Sequence, residues 1–194
     1  MKNKELLEEL EGYRKKYLNE DKEASKKIGD KYDEKVLVYG STPYSTFEAI
    51  NKIIDYKPKR FIVIGCSIGW MNFYFNELNP DIKTIGIDIH QYRIDFGNDL
   101  ITKHNLKNIE LVLESFEDFE FKDGDLIWES NLMFEYDLNE ECNKKIDESL
   151  ENFKILSYRN IFYLNDNDNV KKTKVKLPVS WSDEQNFYIY EKTK

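Results

Sequence analysis

The run Phe61-Ile62-Val63-Ile64-Gly65-Cys66-Ser67-Ile68-Gly69-Trp70 constrains this chain more than any other stretch. Its apolar opening reads as a buried strand, its two glycines as a sharp turn, and Trp70 as the entry to a helix. Further on, Thr84-Ile85-Gly86-Ile87-Asp88 is a second apolar strand, and it ends in a carboxylate. Such an order builds the two walls of a nucleotide crevice. Glycine lets the backbone approach a ligand, a helix N-terminus presents free N–H groups, and the acid accepts hydrogen bonds from ribose hydroxyls. A glycine turn in a ligand-free α/β domain is the plainer reading, and Asp88 is what favours the crevice over it.

A dinucleotide turn needs glycine at its first, third and sixth positions, and here those hold Gly65, Ser67 and Trp70. Tryptophan cannot replace the glycine that allows close helix–strand packing. The spacing Gly65-x-x-x-Gly69 fits better the looser turn that serves S-adenosylmethionine, whose adenosine needs a ribose acceptor but no pyrophosphate cradle. Cys66 in this turn reads as a packing residue, and His90 beyond it as a surface histidine.

The chain has 194 residues, 40% of them hydrophobic and 14% aromatic, enough for one domain with a full core. No stretch approaches the ~20 apolar residues of a membrane span, and the charged N-terminus lacks the apolar region of a signal peptide. The two cysteines, Cys66 and Cys142, fit a reducing compartment, so an intracellular location (cytoplasm or nucleus) is expected. Neither His90 nor His104 sits in a Cys/His cluster, and no metal site is expected. The net charge of −8 is uneven: fifteen carboxylates stand against three lysines between Glu110 and Glu151. An acidic rim would repel nucleic-acid phosphates and attract a basic protein or an amine; a merely solvated surface is the alternative.

Residues 1–35 carry Leu6, Leu7, Leu10, Tyr13, Tyr17 and Leu18 at helical spacing, which predicts an amphipathic cap and a polar connector ahead of a domain spanning 36–194. Val36–Gly40 reads as a short extended piece, and Ser41 or Thr42 as the N-cap of a helix running to about Tyr56. From Arg60 the pattern alternates, with strands expected at 60–64, 83–87, 109–113, 125–129 and 160–164. Helices are expected near 69–78, 91–104 and 138–153. Alternation of this kind builds a parallel sheet with helices on both faces. The end differs, because Lys174–Trp181 and Asn186–Glu191, joined by Ser182–Gln185, read as an antiparallel hairpin. Five parallel strands closed by a C-terminal antiparallel hairpin make the seven-stranded α/β sheet of class I methyltransferases, a Rossmann-like fold, here with an N-terminal helical cap.

Several blocks occur in one order: Val38-Tyr39-Gly40-Ser41-Thr42, the glycine turn, Asp88, Glu114-Ser115-Phe116, Ser130-Asn131-Leu132-Met133-Phe134 and Val179-Ser180-Trp181, with Tyr188 beyond. That order resembles the non-SET histone lysine methyltransferases, the disruptor-of-telomeric-silencing family, across roughly residues 36–192. The resemblance implies S-adenosylmethionine as cofactor and a protein lysine as methyl acceptor. It places Tyr39, Gly40 and Thr42 over the methionine end, Gly65 and Gly69 beneath it, Asp88 on the ribose, and Ser115 and Phe116 at the adenine. It places Ser130, Asn131 and Tyr188 at the reacting methyl, and Trp128, Leu132, Phe134 and Trp181 around an acceptor channel.

Departures from the family pattern fall at Ser41, Val63, Ser67, Ser115, Ser130 and Leu132. Val63 stands where the family has an acid, and Glu129 on the neighbouring strand is a candidate replacement unless strand alternation aims it away. Two other readings stay open. One is a methyltransferase for a small-molecule acceptor. The other is a methyltransferase-like binding module without catalysis, in which the aromatics are ordinary core residues.

Overall fold

A computed structural model of the chain describes residues 3–16, 18–28, 42–54, 57–165 and 167–193. The expectations that rest on Tyr17, on Val36–Gly40 with Tyr39 and Gly40, on Ser41 and on Tyr56 lie outside these residues.

Strands β1 (Arg60–Ile64), β2 (Lys83–Asp88), β3 (Ile109–Leu113), β4 (Asp125–Glu129), β5 (Phe153–Ser157), β6 (Val170–Val179) and β7 (Ser182–Lys192) form one sheet. Their spatial order is β3-β2-β1-β4-β5-β7-β6. The first five are parallel, and β7 runs antiparallel to both β5 and β6. Helices α1 (Lys4–Lys16), α2 (Leu18–Lys26), α3 (Tyr44–Ile53), α4 (Trp70–Leu78) and α5 (Gln91–Lys103) precede β3, while α6 (Tyr136–Ser149) and the short α7 (Phe162–Asn165) follow β4 and β5. The order reverses between β1 and β4. In open α/β sheets ligands bind beside such a reversal, at the C-terminal ends of the strands.

Two apolar layers cover the sheet. On one face, Phe61, Val63, Trp128 and Phe187 pack with Phe47 of α3, Phe73 and Phe75 of α4, and Leu6, Leu10 and Tyr13 of α1. On the other, Ile62, Ile64, Ile127, Ile155 and Tyr190 pack with Cys142 and Ile146 of α6. The N-terminal cap therefore contributes core residues. Its fully enclosed Leu6, Leu10 and Tyr13 follow the spacing that puts i, i+4 and i+7 on one helical stripe.

Four expectations need correction. The fifth strand is Phe153–Ser157, not 160–164, so α6 stops at Ser149. Lys154 interrupts the apolar pattern of that strand, yet it is buried there, with Nζ 3.3 Å from Glu191 Oε2 on β7. Residues 160 and 161 instead lead into α7 (Phe162–Asn165), anchored where the Ile161 N–H donates to Tyr190 OH at 2.7 Å. The hairpin turns at Ser180-Trp181, and Ser182–Gln185 belong to β7, so both strands are longer than expected. Finally, α3 has Pro43 at its N-cap without a side-chain bond and ends at Ile53; the Thr42 hydroxyl faces Tyr158 OH at 2.5 Å instead.

Candidate functional site

The C-terminal ends of β1 and β2 face a cleft lined by Gly65, Asp88, Ile89, Ser115, Phe116, Phe134 and Leu138. Glu114 and Glu117 stand in the same wall. Gly65 closes β1 with φ +69°, a left-handed conformation that glycine adopts without steric cost. A Cβ on it would lie 3.5 Å from Ser130 Cβ and 3.7 Å from the Phe134 ring, filling the gap between turn and wall. Its N–H and that of Cys66 donate to the Ile87 carbonyl at 2.9 and 3.0 Å, which ties the turn to the end of β2.

Asp88 is the polar centre of the cleft. Oδ2 accepts from the Ser67 N–H at 2.7 Å, and Oδ1 accepts from the His90 N–H at 2.9 Å. A carboxylate can accept about four hydrogen bonds, so each oxygen keeps a lone pair. The residues fit an adenosine: two vicinal hydroxyls can donate to Asp88, a flat ring can lie against Phe116, and the missing Cβ of Gly65 leaves room for the ligand. Gly65, Asp88, Ser115 and Phe116, separated along the chain, thus meet in one place, together with Phe134 from the expected channel.

Other anticipated residues have different surroundings. Gly69 (φ +91°) opens α4 and lies against β3, where a Cβ would meet Leu111 Cδ1 at 2.8 Å. Thr42 is buried against Tyr158 rather than in the wall of the cleft. Ser130 sits next to the cleft, its N–H donating to the Ile64 carbonyl at 3.0 Å. Asn131 turns inward: its Nδ2 lies 3.0 Å from Glu129 Oε2, 2.6 Å from Asn139 Oδ1 and 2.8 Å from Ser157 Oγ. Trp128 is enclosed by Phe47, Tyr158 and Phe187, with ring centroids 5.6 to 6.0 Å away. Leu132 packs on that same face, as does Trp181 through Tyr158 at 5.8 Å. Phe134 and Tyr188 belong to the opposite face, and Tyr188 lies under Lys172 Nζ at 5.2 Å. The sheet separates these side chains, so the described residues do not assemble them into one channel.

Glu129 does not occupy the place expected for a substitute acid beside Val63. Strand alternation puts Val63 in one apolar layer and Glu129 beneath α6 on the other face, near Cys142 Sγ at 4.0 Å. Burial pushes its carboxyl up to about 8, despite hydrogen bonds from Asn143 and Ser157 that act the other way. His90, expected on the surface, is fully buried, and burial lowers its pKa. Burial likewise raises the thiols of Cys66 and Cys142 well above the usual range, as suits packing residues rather than nucleophiles. Ile89 and Leu138 complete the cleft without having been anticipated. Ile89 follows Asp88 directly, but Leu138 comes from α6, and nothing local links it to the glycine turn. Among the described residues no helix is long and apolar enough to cross a membrane, and no three His, Cys, Asp or Glu are grouped as metal ligands.

Strand order, terminal hairpin and cleft together define a Rossmann-like methyltransferase fold. The chain belongs to the Methyltransferase domain family, whose sequence profile it matches over residues 56–192. Its cofactor is S-adenosylmethionine, and it is an enzyme of that S-adenosylmethionine-dependent class. No curated protein matches it in sequence. Among solved structures it is similar to M. capricolum TrmK in complex with S-adenosylhomocysteine (16% identity, 76% of this chain and 67% of that one, TM-score 0.57). It is also similar to TrmN from Thermus thermophilus (14%, 81% and 51%, TM-score 0.63). A third is a putative O-methyltransferase from Klebsiella pneumoniae (12%, 92% and 90%, TM-score 0.62). At such identities the likeness concerns the fold.

Proposed function

We propose that this methyltransferase acts on an amine of a basic protein or peptide, most simply a lysine. The carboxylates at the mouth of the cleft carry this reading. Glu114 and Glu117 stand in its wall, and the exposed Glu135, Asp137 and Glu141 flank Leu138 along the chain. No lysine or arginine lines the cleft among the described residues, although Lys145 Nζ and Arg159 Nη1 reach its margin, donating to the backbone carbonyls of Glu117 and Phe134. Such a rim attracts cationic acceptors and repels phosphates. Nucleic acid is not an expected partner, nor is a membrane.

When bound, S-adenosylmethionine supplies an electrophilic methyl group, so the protein has to align a neutral nucleophile more than to provide a strong acid or base. Asp88 holds the ribose, Gly65 leaves room for the backbone to approach, and Phe134 with Leu138 excludes water. An ammonium entering from an acidic rim must lose its proton. The apolar wall favours the neutral form by desolvation, and the carboxylates outside can pass the proton to solvent.

The test is transfer of labelled methyl from S-adenosylmethionine to a lysine-rich peptide, to transfer RNA and to small phenols and amines, side by side. Labelling of the peptide, lost when its lysines are blocked by acetylation, supports the reading. Labelling of RNA or of the small molecules alone would replace it. Absence of labelling together with absence of S-adenosylhomocysteine binding would return the chain to the non-catalytic module.

A further inference from the structure

Helix α5 starts without a side-chain cap. Its N-cap position is His90, which makes no bond to the helix's own N–H groups, where Ser, Thr, Asp or Asn is usual. Arg93 follows within the first turn, a cation at the end of the helix dipole that favours anions. Both side chains reach instead to α2, which lies outside the residues of the family match. Arg93 Nε and Nη2 donate to Asp21 Oδ1 and Oδ2 at 2.8 and 2.9 Å, and Tyr13 OH donates to Oδ1 at 3.0 Å. Ser25 Oγ donates to the Asp21 carbonyl at 2.8 Å and lies 2.9 Å from His90 Nε2, within hydrogen-bond distance. Asp21, His90 and Arg93 are all buried. The backbone N–H of this same His90 holds Asp88 Oδ1.

We propose that α2 is a positioning element of the cofactor site, with Asp21 and Ser25 as positioning residues that hold the turn from Asp88 to Arg93. The inference rests on reading Asp88 as the ribose acceptor. None of the residues lining the cleft belongs to α2, and among the described residues its side-chain bonds to α5 run to His90 and Arg93. Without the Asp21 carboxylate the buried guanidinium loses two charge-assisted hydrogen bonds at the positive end of α5, and the first turn shifts to compensate. That turn carries one of the two N–H groups that aim Asp88. By reciprocity, a ligand gripped by Asp88 tightens the docking of α2.

The experiment is calorimetric titration of the full chain with S-adenosylhomocysteine and with its 2′,3′-dideoxy analogue, which lacks the hydroxyls that Asp88 would hold. Asp21→Asn is expected to weaken S-adenosylhomocysteine about tenfold and Ser25→Ala about threefold, as for loss of one charged or one neutral hydrogen bond. Both variants should leave the dideoxy analogue unchanged, and Asp21→Glu should recover part of the loss. In hydrogen exchange, S-adenosylhomocysteine should protect α2 amides in the wild type and not in Asp88→Asn. Equal weakening of both ligands, or no weakening of either, would overturn the inference. Should Asp21→Asn lose its cooperative melt, Ser25→Ala and the exchange experiment decide by the same criteria. A wild type that binds the dideoxy analogue as tightly as S-adenosylhomocysteine would instead overturn the reading of Asp88 itself, so the two failures are distinguishable.

Discussion

Asp88 shows why a single carboxylate can be read ahead of its surroundings. A charged group ending a buried strand must find donors, and here it finds the N–H groups of Ser67 and His90. Asp88→Asn keeps one acceptor oxygen and is expected to weaken S-adenosylhomocysteine by about one to two orders of magnitude with a cooperative melt intact. Asp88→Ala would also leave two N–H groups unpaired and lower the melting temperature; calorimetry and thermal denaturation separate the two effects. Glu129 makes the opposite case, a carboxyl whose role nothing local shows. Its ordinary pKa is 4.5, and burial carries it to about 8 in the fold. The folded protein therefore binds a proton that the unfolded chain releases. The contribution of this group to stability is fullest below pH 4.5, declines as pH rises, and is gone above about 8. Within that window the slope is about 1.4 kcal/mol per pH unit. Glu129→Gln removes the titration, so its stability relative to the wild type should rise steadily from pH 5 to 8 in chemical denaturation. A constant difference over that range would show an ionised Glu129.

Among the elements, α5 owes its position to a close approach. A Cβ on Gly97 would meet the Ile68 carbonyl oxygen at 2.7 Å and collide with the Leu111 side chain, so the helix rests directly on the glycine turn. Gly97→Ala should cost about 1–3 kcal/mol by overpacking and displace the turn, which denaturant titration and S-adenosylhomocysteine binding would report together. The strands that flank the crevice were legible because burial on both faces makes their apolar runs continuous. β5 was not. Lys154 breaks its run, and the partner that makes this lysine tolerable, Glu191, belongs to a strand far along the chain. The 160–164 run misleads for the same reason: it is apolar because α7 also needs a buried side, shown by Leu164.

For the whole molecule, charge sets the approach of the acceptor. If the acidic rim recruits a basic peptide, KM for that peptide should rise about threefold or more between low and physiological salt, while KM for S-adenosylmethionine stays nearly constant. Glu114→Gln with Glu117→Gln should raise peptide KM and flatten that salt dependence in the same steady-state assay. A salt-independent KM would speak for an uncharged acceptor.

By itself the sequence determined the parallel α/β scheme, the crevice and its carboxylate, because strand period, glycine turns and a strand-ending acid are local signals with local causes. It also carried the terminal hairpin, though not its turn. Only the tertiary structure decided which face each aromatic joins, and so divided Trp128, Leu132 and Trp181 from Phe134 and Tyr188. Only it could bury Glu129 and His90, bring Leu138 into the cleft and set α2 against α5. Each of these depends on partners distant along the chain, and burial is a property of the assembled sheet, not of any one segment.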